Sequence, residues 1–534
     1  MQHVSSPSQS MGVKRFGLTA ALIECGDLAR AAAVHEQLKS SSVPFTEIIP
    51  AAQTVLVRFD SAAATAEFIA SFRPEPTFES QRGRGDERVI DVIYDGEDLQ
   101  AVAELTGLTR DQVIVAHTEQ QWSVAFAGFA PGFFYLHAAD NALNVPRRDT
   151  PRTAVPAGAV GLAGEFSGIY PRTSPGGWQL IGHTNAPLWN IHQDPPALLE
   201  PGATVRFRAV REHIEVSAAE ERGVAEPTTP PTQPNALTVV ASGPQLLMQD
   251  AGRAGLTHWG VSPSGFADPS AAREANRLVG NDPSAVALES LMGGFTVTAE
   301  ADTVLSLTGA RVKAIISEPE KKDRQVPAAT PFALLAGQKL SVGTAEAGLR
   351  VYCAVRGGFA APVSAQSRSY DTMSEIGPAP VKAGDKLSVF GKISPSVAYP
   401  LPRPLPLPES DTATEVRVIL GPREDWFTEE SLQRFCEVEW EVGADTNRIG
   451  ARLKPVQTDE TVLERAITTE LPSEGMVAGA IQVPPSGEPV VFLADHPVTG
   501  GYPVIATVHP DDLRLVAQAA PGTLLHFTPY TPTA

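Results

Sequence analysis

Between residues 155 and 184, glycines recur at 158, 161, 164, 168, 176, 177 and 182. Only short β-type runs, 160–163 and 178–181, lie between them. This punctuation predicts strands joined by tight turns, with backbone N–H groups and a few side chains facing one cleft. Glycine accepts positive φ and lets another group approach the backbone closely. The stretch therefore fits a ligand site, and equally the corners of a turn-rich barrel; glycine alone leaves both open.

The flanking chain extends the pattern. From 124 onward, short strands separated by Gly and Pro predict a β-barrel or sandwich. Before it, residues 16–83 read as a small α+β unit, with strands at 18–24, 46–50 and 54–59 and helices at 27–38 and 61–71. In the first helix, Leu28, Ala31, Ala32 and His35 share helical spacing. A strand is expected at 89–94, then helices at 99–106 and 109–116, the second with Thr109 as N-cap. His117 falls at that helix's C-terminal end, where the dipole favours a protonated imidazole. Residues 81–88 form a polar boundary, and 223–235, with four prolines, a semi-rigid linker. Asp268-Pro269 starts a helix over 270–278, and 399–408 is an extended crossover between two β-rich lobes. The fold class is thus mainly β with α+β.

At 534 residues the chain exceeds what one core supports. A net charge of −19 argues against a phosphate-backbone partner, so no nucleic acid is expected. Cys25, Cys353 and Cys436 are far apart and form no metal-type pair; they read as buried small hydrophobes in a reducing compartment. No signal-peptide core and no run of roughly 18 apolar residues is present, so a soluble, cytoplasmic protein without membrane contact is expected. A phosphate-binding Gly-x-x-x-x-Gly-Lys loop, a nucleophile elbow, zinc spacing and a biotin-attachment Met-Lys are all missing. Catalytic residues stay unassigned and no resident metal is expected.

Arginine offers a planar, permanently charged fork for carboxylate or phosphate. Arg152, Arg253, Arg368 and Arg448 each stand beside Gly, Pro or Ser in turn-like contexts, where such a site would be built. Each could instead pair with an acidic neighbour at a strand end. His183, Asn447 and Gln482 could orient a small amide, or satisfy turn backbones. Asp250, Asp268 and Glu289 could serve as ligands or bases, the two aspartates equally as turn and cap formers. Gly158, Gly176, Gly177 and Trp178, with Gly500, Gly501 and Tyr502, are the candidates to wall a pocket, although aromatic core packing also suits both rings.

Several motifs carry a family resemblance. Gly128-Phe129-Ala130-Pro131-Gly132-Phe133-Phe134-Tyr135-Leu136, Pro146-Arg147-Arg148, Pro151-Arg152, Val155-Pro156-Ala157-Gly158 and Ser174-Pro175-Gly176-Gly177-Trp178 resemble allophanate hydrolase subunit 1. That family is also called Kip inhibitor, or the B component of ATP-dependent 5-oxoprolinase. His183 departs from it, the family often having Arg there. Gln249-Asp250-Ala251-Gly252-Arg253, Ser264-Gly265-Phe266-Ala267-Asp268, Thr446-Asn447-Arg448-Ile449-Gly450, Gly479-Ala480-Ile481-Gln482-Val483-Pro484-Pro485 and Thr499-Gly500-Gly501-Tyr502-Pro503 resemble allophanate hydrolase subunit 2, the Kip antagonist or C component of 5-oxoprolinase. Gln366 stands where that family usually has Gly.

The resemblance implies a disordered tail at 1–15, an α+β domain at 16–83, a cyclophilin-like β-barrel at 84–222, and the linker. A half resembling the C component follows at 236–534, its two cyclophilin-like lobes meeting near 400–410. The resemblance also implies a fusion protein of the urea amidolyase family. It would be an ATP-hydrolysing 5-oxoprolinase component that opens 5-oxo-L-proline to L-glutamate, with the separate 5-oxoprolinase A component as partner. ATP with Mg2+ would be the co-substrate, phosphorylating the lactam oxygen before water attacks. The same families resemble the carboxyltransferase part of urea carboxylase, whose site lies between the halves, and the Kip regulators of a histidine kinase. The fusion weighs against the last, since inhibitor and antagonist in one chain would cancel. Homo-oligomerisation is left open.

Overall fold

The computed structural model describes residues 11–532 apart from 76–85, 140, 149, 213–234, 392–394, 402–404, 410–411 and 457–462. Most of the N-terminal tail, most of the linker and parts of the 81–88 boundary and the crossover therefore lie outside the described residues; residues 12–15, expected in a disordered tail, instead form a strand that pairs with Ala20–Glu24.

The first unit is a four-stranded antiparallel sheet, β1 (Gly12–Arg15), β2 (Ala20–Glu24), β3 (Glu47–Pro50) and β4 (Thr54–Arg58), in the order β1-β2-β4-β3. Successive strand residues point to opposite faces. Ala21, Ile23, Val55 and Val57 pack on helices α1 (Leu28–Lys39) and α2 (Ala62–Ser71). Leu22, Ile49 and Leu56 point the other way, into a core shared with Met476, Val477, Phe492 and Val504 of the chain's last domain. Both faces are buried, which is why these strands read as nearly unbroken apolar runs. The inward face of α1 differs from the expected one: it buries Ala31, Ala33, Val34 and Leu38, while Ala32 is exposed. Asp27 caps this helix, and Ala31 is common to the expected and the observed face.

The second unit is a seven-stranded sheet spanning residues 87–209. Its first strand, β5 (Glu87–Val92), pairs parallel with its last, Thr204–Ala209. Two helices, α3 (Leu99–Thr106) and α4 (Arg110–Glu119), follow β5, and α4 opens with a reciprocal Thr109–Gln112 capping box. His117 is fully buried rather than held at the helix end as a cation. Its ring stacks on Phe207 and bonds the Tyr94 and Ser167 hydroxyls, and burial pushes its pKa down to about 3. Desolvation outweighs the helix dipole, and the imidazole is neutral.

The second half contains a six-stranded and a five-stranded sheet within 235–388, then a closed seven-stranded barrel from Thr414–Leu420 to Leu524–Pro529. This barrel repeats the layout of the 87–209 unit. Its first and last strands also pair parallel. Each unit has a tryptophan just past a helix, and each indole donates to the carbonyl five residues earlier: Trp122 to His117 (3.0 Å) and Trp440 to Phe435 (3.1 Å). Each also carries a short two-stranded ribbon, Arg152–Val155 with Ser174–Gly176 in one and Glu474–Gly475 with Thr499–Gly500 in the other.

The halves are docked by polar contacts as well as apolar ones. The buried Glu47 carboxylate accepts from Gly255 N (2.8 Å) and the Thr257 hydroxyl (2.6 Å). Tyr135 and Ser473 hydroxyls bond at 3.0 Å. Arg423 pairs with Glu474 and with Glu24 of β2, beside a cavity of about 90 Å³. Cys25 and Cys353 are buried and Cys436 is half-buried, all three as free thiols.

Candidate functional site: an arginine-lined seam between the two barrels

The two halves meet close to their ribbons, where Arg147 Nε lies 3.0 Å from Glu470 Oε1. Glycines make the approach feasible. At Gly158, φ is +81°, and a Cβ would stand 2.2 Å from Thr184 O. At Gly176, a Cβ would stand 2.3 Å from the Tyr170 hydroxyl. Arg148 N donates to Gly177 O (2.8 Å), which holds the Pro146-Arg147-Arg148 segment against the first ribbon. A Cβ on Gly501 would lie 3.4 Å from Arg147 Nη1, so the glycine pair of the second ribbon faces the same guanidinium.

The charge balance at this seam is cationic. Arg148 Nη1 (2.6 Å) and Arg152 Nη2 (2.9 Å) share the buried Asp98 carboxylate, which also accepts from Leu180 N (2.7 Å). Arg152 reaches the exposed Glu97 as well. On the other wall, Arg465 lies 5.9 Å from the Tyr502 ring centroid and donates to Val483 O. Gln482 holds Tyr502 O at 3.0 Å. Four arginines, 147, 148, 152 and 465, thus stand against Glu97, Asp98 and Glu470. The buried Nε atoms of Arg148, Arg172 and Arg465, and the Tyr170 hydroxyl, have no partner among the described residues. Buried donors of this kind are normally satisfied, and arginine N–H groups suit anionic oxygens.

The second half also holds a buried polar centre. Asp250 accepts from the Ser367 and Ser369 hydroxyls (2.6 and 2.7 Å) and from Arg368 N (2.7 Å). Arg253 donates to Ser369 O (2.7 Å), while its Nε and Nη1 are buried without a partner among the described residues. Asp371 Oδ2 is likewise unpartnered, and burial, then the nearby Asp495, raise the Asp371 pKa to about 6. The loop that supplies these groups holds Ala365, Gln366 and Glu375 at φ of +49°, +65° and +58°. Non-glycine residues there cost on the order of 1–2 kcal/mol each, and such strain gathers at functional sites. Gln366 occupies the position where the family motif has Gly, and its backbone explains that preference.

The other candidates are placed as follows. Arg448 is fully buried, bonded to Asp495 (2.9 Å) and Gly265 O (2.6 Å) and paired with Glu289. Burial alone would lower its pKa, but Asp495 and Glu289 overcome this and hold it above the ordinary arginine value. Its guanidinium is committed to these partners and joins the two lobes of the second half. Glu289 also accepts from the Tyr352 hydroxyl (2.8 Å), and Asp268 caps the 269–278 helix. Arg368 lies 5.0 Å over the Phe390 ring and bonds Ala361 O. Asn447 Oδ1 closes its own turn on Ile449 N and Gly450 N. His183 Nδ1 contacts Asp95 at 2.8 Å. Trp178 packs in a core with Phe133 and Tyr135, whereas Tyr502 is 39% exposed.

Sequence reasoning did not single out Arg147, Arg148, Arg172, Arg465, Glu470, Asp371 or Asp495. The adjacent pair in Pro146-Arg147-Arg148 was a signal; the others become visible only once remote segments meet. The arginine donors fit phosphoryl or carboxylate oxygens. Among the described residues there is no cluster of three His, Cys, Asp or Glu arranged to hold a metal ion.

Fold and seam together define a two-half protein built around β-barrels, with arginines at the junction of its halves. Residues 259–529 match the family model for carboxyltransferase domain, subdomains A and B, and residues 11–199 match the model for subdomains C and D. The chain belongs to this carboxyltransferase-domain family and carries both subdomain pairs. It is 33% identical over 294 residues to the 5-oxoprolinase C component of Escherichia coli K12, covering 54% of this chain and 90% of that one. It is 46% identical over 128 residues to the 5-oxoprolinase B component of E. coli O157:H7, covering 23% of this chain and 59% of that one. A urea amidolyase of Saccharomyces cerevisiae is 30% identical over 56% of this chain, a stretch that is 17% of the yeast protein. The crystal structure of TTHA0988 superposes with a TM-score of 0.80 at 34% identity, covering 95% of this chain and 99% of the other. Among the described residues no helix is long and apolar enough to cross a membrane.

Proposed function

We propose that the chain is the fused B–C component of an ATP-dependent 5-oxoprolinase, which opens 5-oxo-L-proline to L-glutamate together with a separate A component. The observation that carries this reading is the Arg147–Glu470 contact between the halves, with Arg148 and Arg152 on the shared Asp98 on one side and Arg465 beside Tyr502, next to Gly501, on the other. Relatives named as the B and C components of 5-oxoprolinase support it. ATP, entering with Mg2+, would supply the phosphoryl group that activates the lactam. This chain's part is to hold anionic oxygens with Arg147, Arg148 and Arg152, and to border the substrate with Tyr502 and the flanking glycine pairs. No nucleophile is assigned to it. The purified chain should make glutamate from 5-oxoproline and ATP only when the A component is added. Rapid turnover by the chain alone, or none with the A component, would defeat the proposal.

A second reading, a carboxyltransferase component, is favoured by the family model and by the urea amidolyase match. It requires a biotinylated partner, so a biotin protein co-purifying with the chain would select it.

A further inference from the structure

The two barrels anchor their ribbons by the same device with the charges exchanged. In the first, Gly96 N and Asp98 N donate to Ile181 O and Leu180 O; in the second, Gly421 N and Arg423 N donate to Ile505 O and Val504 O. Asp98 and Arg423 thus hold equivalent places. Asp98 pairs with Arg152, which lies opposite Gly176 in its ribbon, and Arg423 pairs with Glu474, which lies opposite Gly500. The first anchor is complete within its own half. The second is not: Arg423 Nη1 reaches on to Glu24 of β2 (2.5 Å), whose carboxylate also faces Lys14 Nζ of β1 at 3.6 Å.

The first half grips the neighbouring residues too. Ser473 O accepts from Ala52 N (3.3 Å), and the Ser473 hydroxyl bonds the Tyr135 hydroxyl (3.0 Å). Gly475 lies so close to β4 that a Cβ would stand 2.8 Å from Leu56 Cβ. Met476 is buried in the core shared with Leu22, Ile49 and Leu56. Residues 473–476 are therefore held by the first half, Glu474 by way of Arg423. This hold reaches the seam along two routes. Glu474 and Gly475 pair with Gly500 and Thr499, next to Gly501. Gln482 Nε2 lies 3.3 Å from Met476 Sδ and donates to Tyr502 O (3.0 Å). Groups that fix the backbone under a site decide its geometry without touching the ligand, and a shift of about 1 Å there is felt in turnover.

We infer that Glu24 and Tyr135 are positioning residues, which act from the first half through Arg423 and Ser473 to fix the second ribbon and set Gly501 and Tyr502 at the seam. The effect on turnover rests on the 5-oxoprolinase function proposed above; the hold on the ribbon does not.

The test is Glu24→Ala combined with Tyr135→Phe in the full chain, which leaves Arg423 on Glu474 and keeps the aromatic ring in its core. Amide hydrogen exchange should quicken about tenfold or more at 474–476 and 499–500, and stay within about twofold in the first ribbon, at 152–155 and 174–176. With the A component present, KM for 5-oxoproline should rise about three- to tenfold while kcat changes less. Glu24→Gln alone, which keeps an accepting oxygen for Arg423 and leaves the Tyr135–Ser473 bond in place, should restore most of both readouts. Unchanged exchange in the second ribbon, equal quickening of both ribbons, or faster exchange with an unaltered KM overturns the inference. If the unaltered chain and the A component show no turnover, the proposed function fails, and the exchange measurement still decides whether the first half holds the ribbon.

Discussion

Arg147, from the first half, and Glu470, from the second, form a 3.0 Å ion pair across the junction of the halves. Their side chains are 33% and 57% exposed, so the pair contributes less than about 1 kcal/mol to stability. Its place beside Gly501 points to the ligand rather than to the fold. Arg147→Gln should therefore move the melting temperature by no more than about a degree or two. With the 5-oxoprolinase A component present it should lower kcat/KM by about ten- to a hundredfold. Full activity in that variant would remove Arg147 from the site.

Arg448 should behave in the opposite way. It is 2% exposed, and replacing it leaves Asp495 and Glu289 as buried, uncompensated carboxylates. Arg448→Met should destabilise the chain by about 3–5 kcal/mol in denaturant unfolding. A loss under about 1 kcal/mol would mean that water or another cation reaches these carboxylates.

Asp371 gives the second half a pH signature. Its folded pKa, about 6, exceeds the ordinary 3.8. The unfolded chain loses this proton first, so stability falls as pH rises from about 4 to 6 and is level above that. Asp371→Asn should remove this decline and stabilise the protein at pH 7 by about 1–3 kcal/mol. Parallel stability–pH curves for the two proteins would refute the assignment.

For His117 the sign is reversed. Its folded pKa, about 3, lies below the ordinary 6.5. Its contribution is complete above 6.5 and is lost as pH falls toward 3, by up to about 1.4 kcal/mol per unit. In NMR the His117 ring resonances should not titrate between about pH 5 and 8. A midpoint near 6.5 would show that the ring reaches water.

Docking of the halves can be tested directly. Phe16, Leu22 and Leu56 share a core with Met476 and Phe492, and Glu47 is bonded across to Thr257. A protease site inserted at Pro230 and then cleaved should leave the halves co-eluting at micromolar concentration. Two separate peaks would contradict the shared core.

Local sequence determined the elements. Thr109 as N-cap, the Asp268-Pro269 helix start and the short glycine-bounded strands all reflect interactions within a few residues, and the structure reproduces them. Family motifs carried the two-half organisation. What the sequence could not rank was the role of each arginine, because Arg152, Arg253, Arg368 and Arg448 have similar neighbours along the chain. Tertiary structure decided it by supplying remote partners. Arg448 received two buried carboxylates, 47 and 159 residues away, whereas Arg253 kept two N–H atoms unpaired among the described residues. The same physics moved His117 from an expected cation to a neutral core residue, since desolvation depends on the surrounding fold and not on the helix end. The seam arginines 147 and 465 acquired meaning only when the two halves met, because a charge excess belongs to a volume and not to a segment.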